Sequence, residues 1–88
     1  MKSENKNWWV YIIEADDESL YTGITTDVER RFDEHLTGKK GARYFNGRKP
    51  VRVVYQEHRH DRSTASQREA EIKSYSRREK QNLISEFS

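Results

Sequence analysis

The chain has 88 residues, of which 32% are hydrophobic and 36% charged, so it can form one small domain with a lean core and not two. With no cysteine it can hold neither a disulfide framework nor a thiolate zinc site. Its net charge of +2 is only a weak argument for a nucleic-acid partner. Residues 1–7 are polar, unlike a signal peptide, and no run is apolar enough to span a bilayer. The expectation is a cytoplasmic protein with no membrane partner, a flexible tail over 1–7 and a single domain over 8–88.

In residues 8–14, Trp8, Val10 and Ile12 alternate with Trp9, Tyr11 and Ile13, a β-branched and aromatic pattern that predicts a strand apolar on both faces. Ala15-Asp16-Asp17-Glu18-Ser19 has turn chemistry, and residues 20–24 read as the second arm of an antiparallel hairpin. Tyr11 and Tyr21 lie one on each arm. Thr26-Asp27-Val28-Glu29 matches a capping box with Thr26 as the cap, opening a helix that Gly38 ends. Val28, Phe32 and Leu36 form its expected buried stripe, with Arg31 and His35 on the flank.

Residues 37–50 read as a loop, and within 39–52 the cations Lys39, Lys40, Arg43, Arg48, Lys49 and Arg52 occur with no acidic residue among them. Residues 51–55 predict a third strand and 57–62 a polar connection. A second helix is expected from near Asp61 or Ser63 to about Tyr75, placing Ala65, Glu69 and Ile72 inward at i, i+4 and i+7. Ser76-Arg77-Arg78-Glu79 is a second capping box and opens a last helix with Leu83, Ile84 and Phe87 inward. The fold class is α/β, of the α+β kind: a three-stranded antiparallel sheet flanked by about three helices.

An inward carboxylate at Glu69 is costly unless it is paired, solvated in a cleft or bound to a cation, and Arg31 or Lys73 could pair with it. Singly, Tyr11 and Tyr21 read as core-edge aromatics, and Arg31 and His35 as a solvated flank. Together they point to chemistry on a phosphate. His58 and His60 share one face of an extended segment, but with only Glu57 and Asp61 as acidic neighbours they read as a polar loop rather than a metal site. In the basic loop, Tyr44 and Phe45 could stack on bases beside Lys39, Lys40, Arg43 and Arg48, although a solvated surface or an acidic protein partner fits the same residues.

The ordered set resembles the GIY-YIG nuclease family, in which two short motifs on neighbouring strands precede a helix with an arginine and a later helix with a glutamate. The first motif stands here as Trp9-Val10-Tyr11, keeping the tyrosine without the glycine or isoleucine, and the second as Tyr21-Thr22-Gly23, with threonine for isoleucine. Tyr21-Thr22-Gly23-Ile24-Thr25-Thr26-Asp27-Val28-Glu29-Arg30-Arg31 and Gly41-Ala42-Arg43-Tyr44 are similar to the small single-domain bacterial members, which themselves resemble the catalytic domain of structure-specific repair endonuclease subunits.

The resemblance implies a magnesium- or manganese-dependent endonuclease acting on DNA, selective for branched or flapped structures in repair or recombination. Glu69 would hold an ion that binds weakly without substrate. Arg31 would offset charge on the phosphate. Tyr11 is the first choice as base, Tyr21 orients the water or phosphate, and His35, titrating near its ordinary value of about 6.5, is a relay or alternative base. All five residues should line one cleft. A protein partner supplying specificity fits so small a chain. The main alternative is a nucleic-acid-binding module of the same fold with little or no catalysis, and a third reading is a regulatory or protein-interaction domain.

Overall fold

The computed structural model describes residues 6–38 and 43–87. Three antiparallel strands, β1 (Trp8–Ala15), β2 (Leu20–Thr25) and β3 (Pro50–His60), form one sheet in the order β2-β1-β3. The central place of β1 follows from its pattern, because only a strand covered on both faces can bury Val10, Tyr11, Ile12 and Ile13 in succession. Helix α1 (Val28–Thr37) packs on one face, where Tyr11, Ile13 and Val28 form the core. Helices α2 (Arg62–Lys73) and α3 (Arg77–Phe87) cover the other, over Val10, Ile12, Tyr55, Ala65 and Ile72.

The cap of α1 is Asp27 rather than the expected Thr26. The Asp27 carboxylate accepts from the Arg30 amide at 3.1 Å, while the Thr25 hydroxyl accepts from the Asp27 amide at 3.2 Å and fixes the chain's approach. Gly38 ends the helix as expected, at φ 81°, a left-handed conformation that glycine adopts without a Cβ penalty.

The inward stripe also differs from expectation, since His35 is 3% exposed and Leu36 52%. The helical period explains this: i+7 falls about 20° from the position of i around the axis, whereas i+8 falls about 80° away. With Val28 inward, His35 must follow it, and the imidazole takes the place that hydrophobicity alone assigns to leucine.

The third strand runs five residues beyond its expected end, through the segment read as a polar connection. Trp8 pairs with His60 and Val10 with Glu57, so His58 and Arg59 together oppose Trp9 in a bulge, with Arg59 at φ 73°. Polar residues persist here because they find partners: Glu57 accepts from Tyr55 at 2.7 Å and from Arg68 at 3.1 Å, and pairs with His60 at 2.7 Å. His58 stacks flat on Trp9 with ring centroids 4.0 Å apart.

The remaining helices start where expected. Asp61 and Thr64 exchange bonds at the head of α2, and Ser76 and Glu79 do the same at the head of α3. Leu83 and Ile84 pack on the core, while Phe87, expected inward, is 49% exposed and meets the Tyr55 ring edge-to-face. Among the described residues no helix is long and apolar enough to cross a membrane.

Candidate active site

Tyr11 is 1% exposed, and its side chain crosses over β2 at Gly23, its partner in the ladder. A Cβ at residue 23 would lie 2.5 Å from the Tyr11 hydroxyl and 2.7 Å from Cζ, so only glycine lets the phenol pass. Beyond that gap the hydroxyl meets His35 Nε2 at 3.1 Å. Tyr21 presents its ring edge-on to His35 at 5.3 Å and tilted to Tyr11 at 6.2 Å, closing a triangle of three rings at the β2 edge.

Arg31 lies one helical turn before His35 and forms a 2.8 Å bond to Glu34 Oε1. It also reaches the Tyr11 hydroxyl. Burial pushes the Tyr11 phenol well above its ordinary value, with the neighbouring Tyr21 adding to the rise; the charge of Arg31 and its hydrogen bond pull the other way and do not prevail. Burial, reinforced by the Arg31 charge and opposed by Glu34, brings His35 down to about 4. The expectation of an imidazole titrating near neutrality is thereby corrected. At neutral pH both members of the pair are uncharged, and in its Nδ1-protonated tautomer His35 accepts the phenolic proton at Nε2.

Glu69 comes from the helix on the other face of the sheet. It sits on α2 between the buried Ala65 and Ile72, its side chain 23% exposed and paired with Lys73 at 3.3 Å, one of the two partners its position suggested. Helix α2 packs on β2 and β1, and the Glu69 charge is felt at Tyr11, where it adds to the rise in pKa. The structure thus gathers Tyr11, Tyr21, Arg31 and His35 on one face and brings Glu69 within electrostatic range from the other.

Among the described residues no three of His, Cys, Asp or Glu gather into a ready-made metal site. A cation at Glu69 would take protein oxygen from that carboxylate and complete its shell from water and a phosphate. Such a donor set fits hydrated magnesium, and the Lys73 partner, half exposed, is readily displaced. The groove between α1 and β3, lined by residues such as Phe32, Val51 and Gln56, contains none of the five.

Of the residues assigned to nucleic-acid contact, Lys39 and Lys40 lie outside the described residues. Arg43 is exposed at the start of a short 3-10 turn, Arg43–Phe45. Arg48 is engaged within the fold: Nε bonds Asp17 Oδ2 at 3.0 Å, a terminal nitrogen donates to the Tyr44 carbonyl at 3.2 Å, and the guanidinium lies 4.2 Å above the Tyr44 ring. Tyr44 in turn leans on Tyr21, with centroids 5.1 Å apart. Phe45, read from the sequence as a base-stacking surface, faces inward against His35 at 4.7 Å and Tyr21 at 5.2 Å. Its inward role, Glu34 and the Asp17 tie were missed; the one available signal was an aromatic pair three residues before an arginine.

A family model for the GIY-YIG catalytic domain matches residues 7–82. A UPF0213 protein of Haloquadratum walsbyi is 56% identical over 82 residues, covering 93% of this chain and 91% of that protein. Another, of Cupriavidus necator, is 48% identical over 85 residues, covering 97% and 91%. The solution structure of a UPF0213 protein from Bacillus halodurans superposes with a TM-score of 0.56 at 46% identity, covering 89% of this chain and 82% of that one. With the tyrosine pair, the glycine that lets it pass and the arginine beside it in place, the chain belongs to the GIY-YIG catalytic-domain family of endonucleases.

Proposed function

We propose that this protein is a magnesium- or manganese-dependent endonuclease that hydrolyses a DNA phosphodiester, with Tyr11 and His35 acting as one proton-accepting unit. The observation that carries the reading is the 3.1 Å contact between the Tyr11 hydroxyl and His35 Nε2. A neutral phenol is a feeble base, but one that hands its proton to an imidazole can take another from water as the water oxygen attacks phosphorus. The phosphorus–oxygen bond to the leaving group then breaks, and the leaving oxygen departs with the bonding pair.

In the free protein this relay runs uphill, because His35 resists protonation. An arriving phosphodiester brings negative charge beside the imidazole and favours its cationic form. Arg31 offsets charge on the non-bridging oxygens as it builds in the transition state, and Tyr21 orients the water or phosphate at the rim. A divalent ion at Glu69, when bound, supplies charge neutralisation at the phosphate and the leaving oxygen.

On this reading recognition rests on DNA shape, with branched or flapped forms of repair or recombination as substrates, or on a protein partner that supplies specificity. A cleavage screen over duplex, nicked, flapped and branched DNA with magnesium or manganese tests the reading. Cutting that both Glu69→Ala and Arg31→Ala abolish, with the fold intact, supports it; cutting that survives Glu69→Ala removes the assigned site.

A second reading is a DNA-binding module with little or no catalysis. The eroded first motif and the uphill Tyr11–His35 relay both favour it. It is distinguished by affinity without cleavage that falls steeply with salt.

A further inference from the structure

Phe45 has no part in the proton relay, yet it lies closer to His35 than either tyrosine ring does, at 4.7 Å against 5.3 and 6.3 Å between centroids. It is held there by a chain of contacts that begins on the far side of the loop. Asp17, in the turn between β1 and β2, bonds Arg48; Arg48 covers the Tyr44 ring and bonds its carbonyl; and Tyr44 meets Phe45 edge-on at 5.2 Å. Asp16 of the same turn accepts from the Lys49 amide at 3.1 Å, and its own amide donates to the Lys49 carbonyl at 2.8 Å. The hairpin turn therefore clips residues 44–49 against the sheet.

We propose that Phe45 is a positioning residue: its ring, held by the Asp17–Arg48–Tyr44 clip, keeps water off the His35 imidazole and holds Nε2 toward the Tyr11 hydroxyl. As a role in catalysis this rests on the endonuclease reading, while as a property of the site it does not. The other groups facing His35 are Tyr11 of β1, Tyr21 of β2, and Arg31 and Glu34 of its own helix, with Glu69 of α2 acting through Tyr11. Arg31 favours the neutral ring and Glu34 the cation, so the two charges oppose and burial is left as the main influence on its protonation. Phe45 provides part of that burial from the short 3-10 turn, where a single substitution removes it without altering any residue of a strand or α-helix.

The test is an NMR titration of the His35 ring nitrogens in the whole chain, assigned by comparison with His35→Gln. In the parent protein His35 should stay neutral from pH 8 to pH 5. In Phe45→Ala its midpoint should rise by more than about one pH unit toward the ordinary 6.5, and Phe45→Leu, which still excludes water, should restore the parent behaviour. Arg48→Ala, which opens the clip and leaves the core alone, should give a smaller rise and decides the matter if Phe45→Ala does not fold. A His35 midpoint unmoved in the folded variants overturns the proposal, as does Phe45→Leu titrating like Phe45→Ala.

Where cleavage is measurable, the acid limb of the kcat/KM profile should move up with the His35 midpoint; a loss uniform in pH would instead mark Phe45 as ordinary packing. The titration needs no substrate. Its failure therefore leaves the endonuclease reading standing, and absence of cleavage leaves the water-excluding role of Phe45 standing.

Discussion

Two tyrosines of the sheet are buried among polar partners, one on each face, and their surroundings differ in kind. Tyr55 hydrogen-bonds Glu57, which also engages Arg68 and His60, while Arg68 bonds Glu71 and the Tyr75 hydroxyl. Both Glu57 oxygens are occupied twice, so the cluster is closed. Tyr11 instead meets a neutral imidazole, with a guanidinium alongside and a carboxylate acting from the opposite face. Burial raises both phenols, Tyr55 to about 12 and Tyr11 further, but a carboxylate that accepts from Tyr55 gives its proton no productive destination. A closed network pins β3 to α2. On the proposed reading, the cluster around Tyr11 moves a proton.

The sharpest way to break this comparison is to remove each hydroxyl in turn. Tyr11→Phe should lower DNA cleavage by about 10³-fold, about 4 kcal/mol in the barrier, far beyond the ~1 kcal/mol of stability lost with the bond to the buried His35. Tyr55→Phe should cost about 1 kcal/mol of stability and leave the rate per folded molecule unchanged. Equal effects of the two on cleavage would mean that the faces are not functionally distinct.

Acid should separate them next. His35 has a folded pKa of about 4 against an ordinary 6.5, so the folded state binds fewer protons between those values. Its contribution is fully present above pH 6.5 and is lost as pH falls through 6.5 toward 4, on the order of 3 kcal/mol in all. Chemical denaturation of the parent and His35→Gln across this range should show a steep loss for the parent and a flatter one for the variant. Parallel curves would mean that the imidazole is already hydrated.

The closed cluster should answer to structure alone. Glu57→Gln leaves the partly buried Arg68 with Glu71 as its remaining carboxylate partner and should cost about 2 kcal/mol, below the value for a fully buried pair because the Glu57 carboxylate retains 24% exposure and Glu71 still pairs with the guanidinium. Cleavage by the folded fraction should persist. If Glu57→Gln abolishes it while the fold remains, the two faces are coupled through the sheet.

Much of this was legible in the chain because local chemistry and tertiary demand agree there. The run from Trp8 to Glu14 read as a strand apolar on both faces, which is what the central β1 is, and Ser76 with Glu79 could cap only the helix they open. The tyrosine pair, Arg31, His35 and Glu69 were chosen by residue type and order and expected to line one cleft; four share one face, and Glu69 comes from the helix on the other. Legibility failed where a polar residue was stabilised by partners distant in sequence. Glu57 and His60 extend a strand because Arg68 and Tyr55 receive them, and Phe45 turns inward because Asp17, 28 positions earlier, holds Arg48.

The exchange of His35 for Leu36 is the smallest of these differences and carries the smallest predicted effect. Hydrophobicity assigns the inward place to leucine, whereas the helical period gives it to the residue seven after Val28. A leucine that buries its side chain contributes roughly 1.5–3 kcal/mol, and one left in water close to nothing. Leu36, 52% exposed in the last full turn of α1, belongs to the second case. Leu36→Lys should shift stability by less than about 0.5 kcal/mol, since lysine keeps the helix propensity and adds a cation near the helix's negative end. A loss of 2 kcal/mol or more in thermal unfolding would put Leu36 inward and rotate His35 off Tyr11, and the Tyr11–His35 relay would go with it.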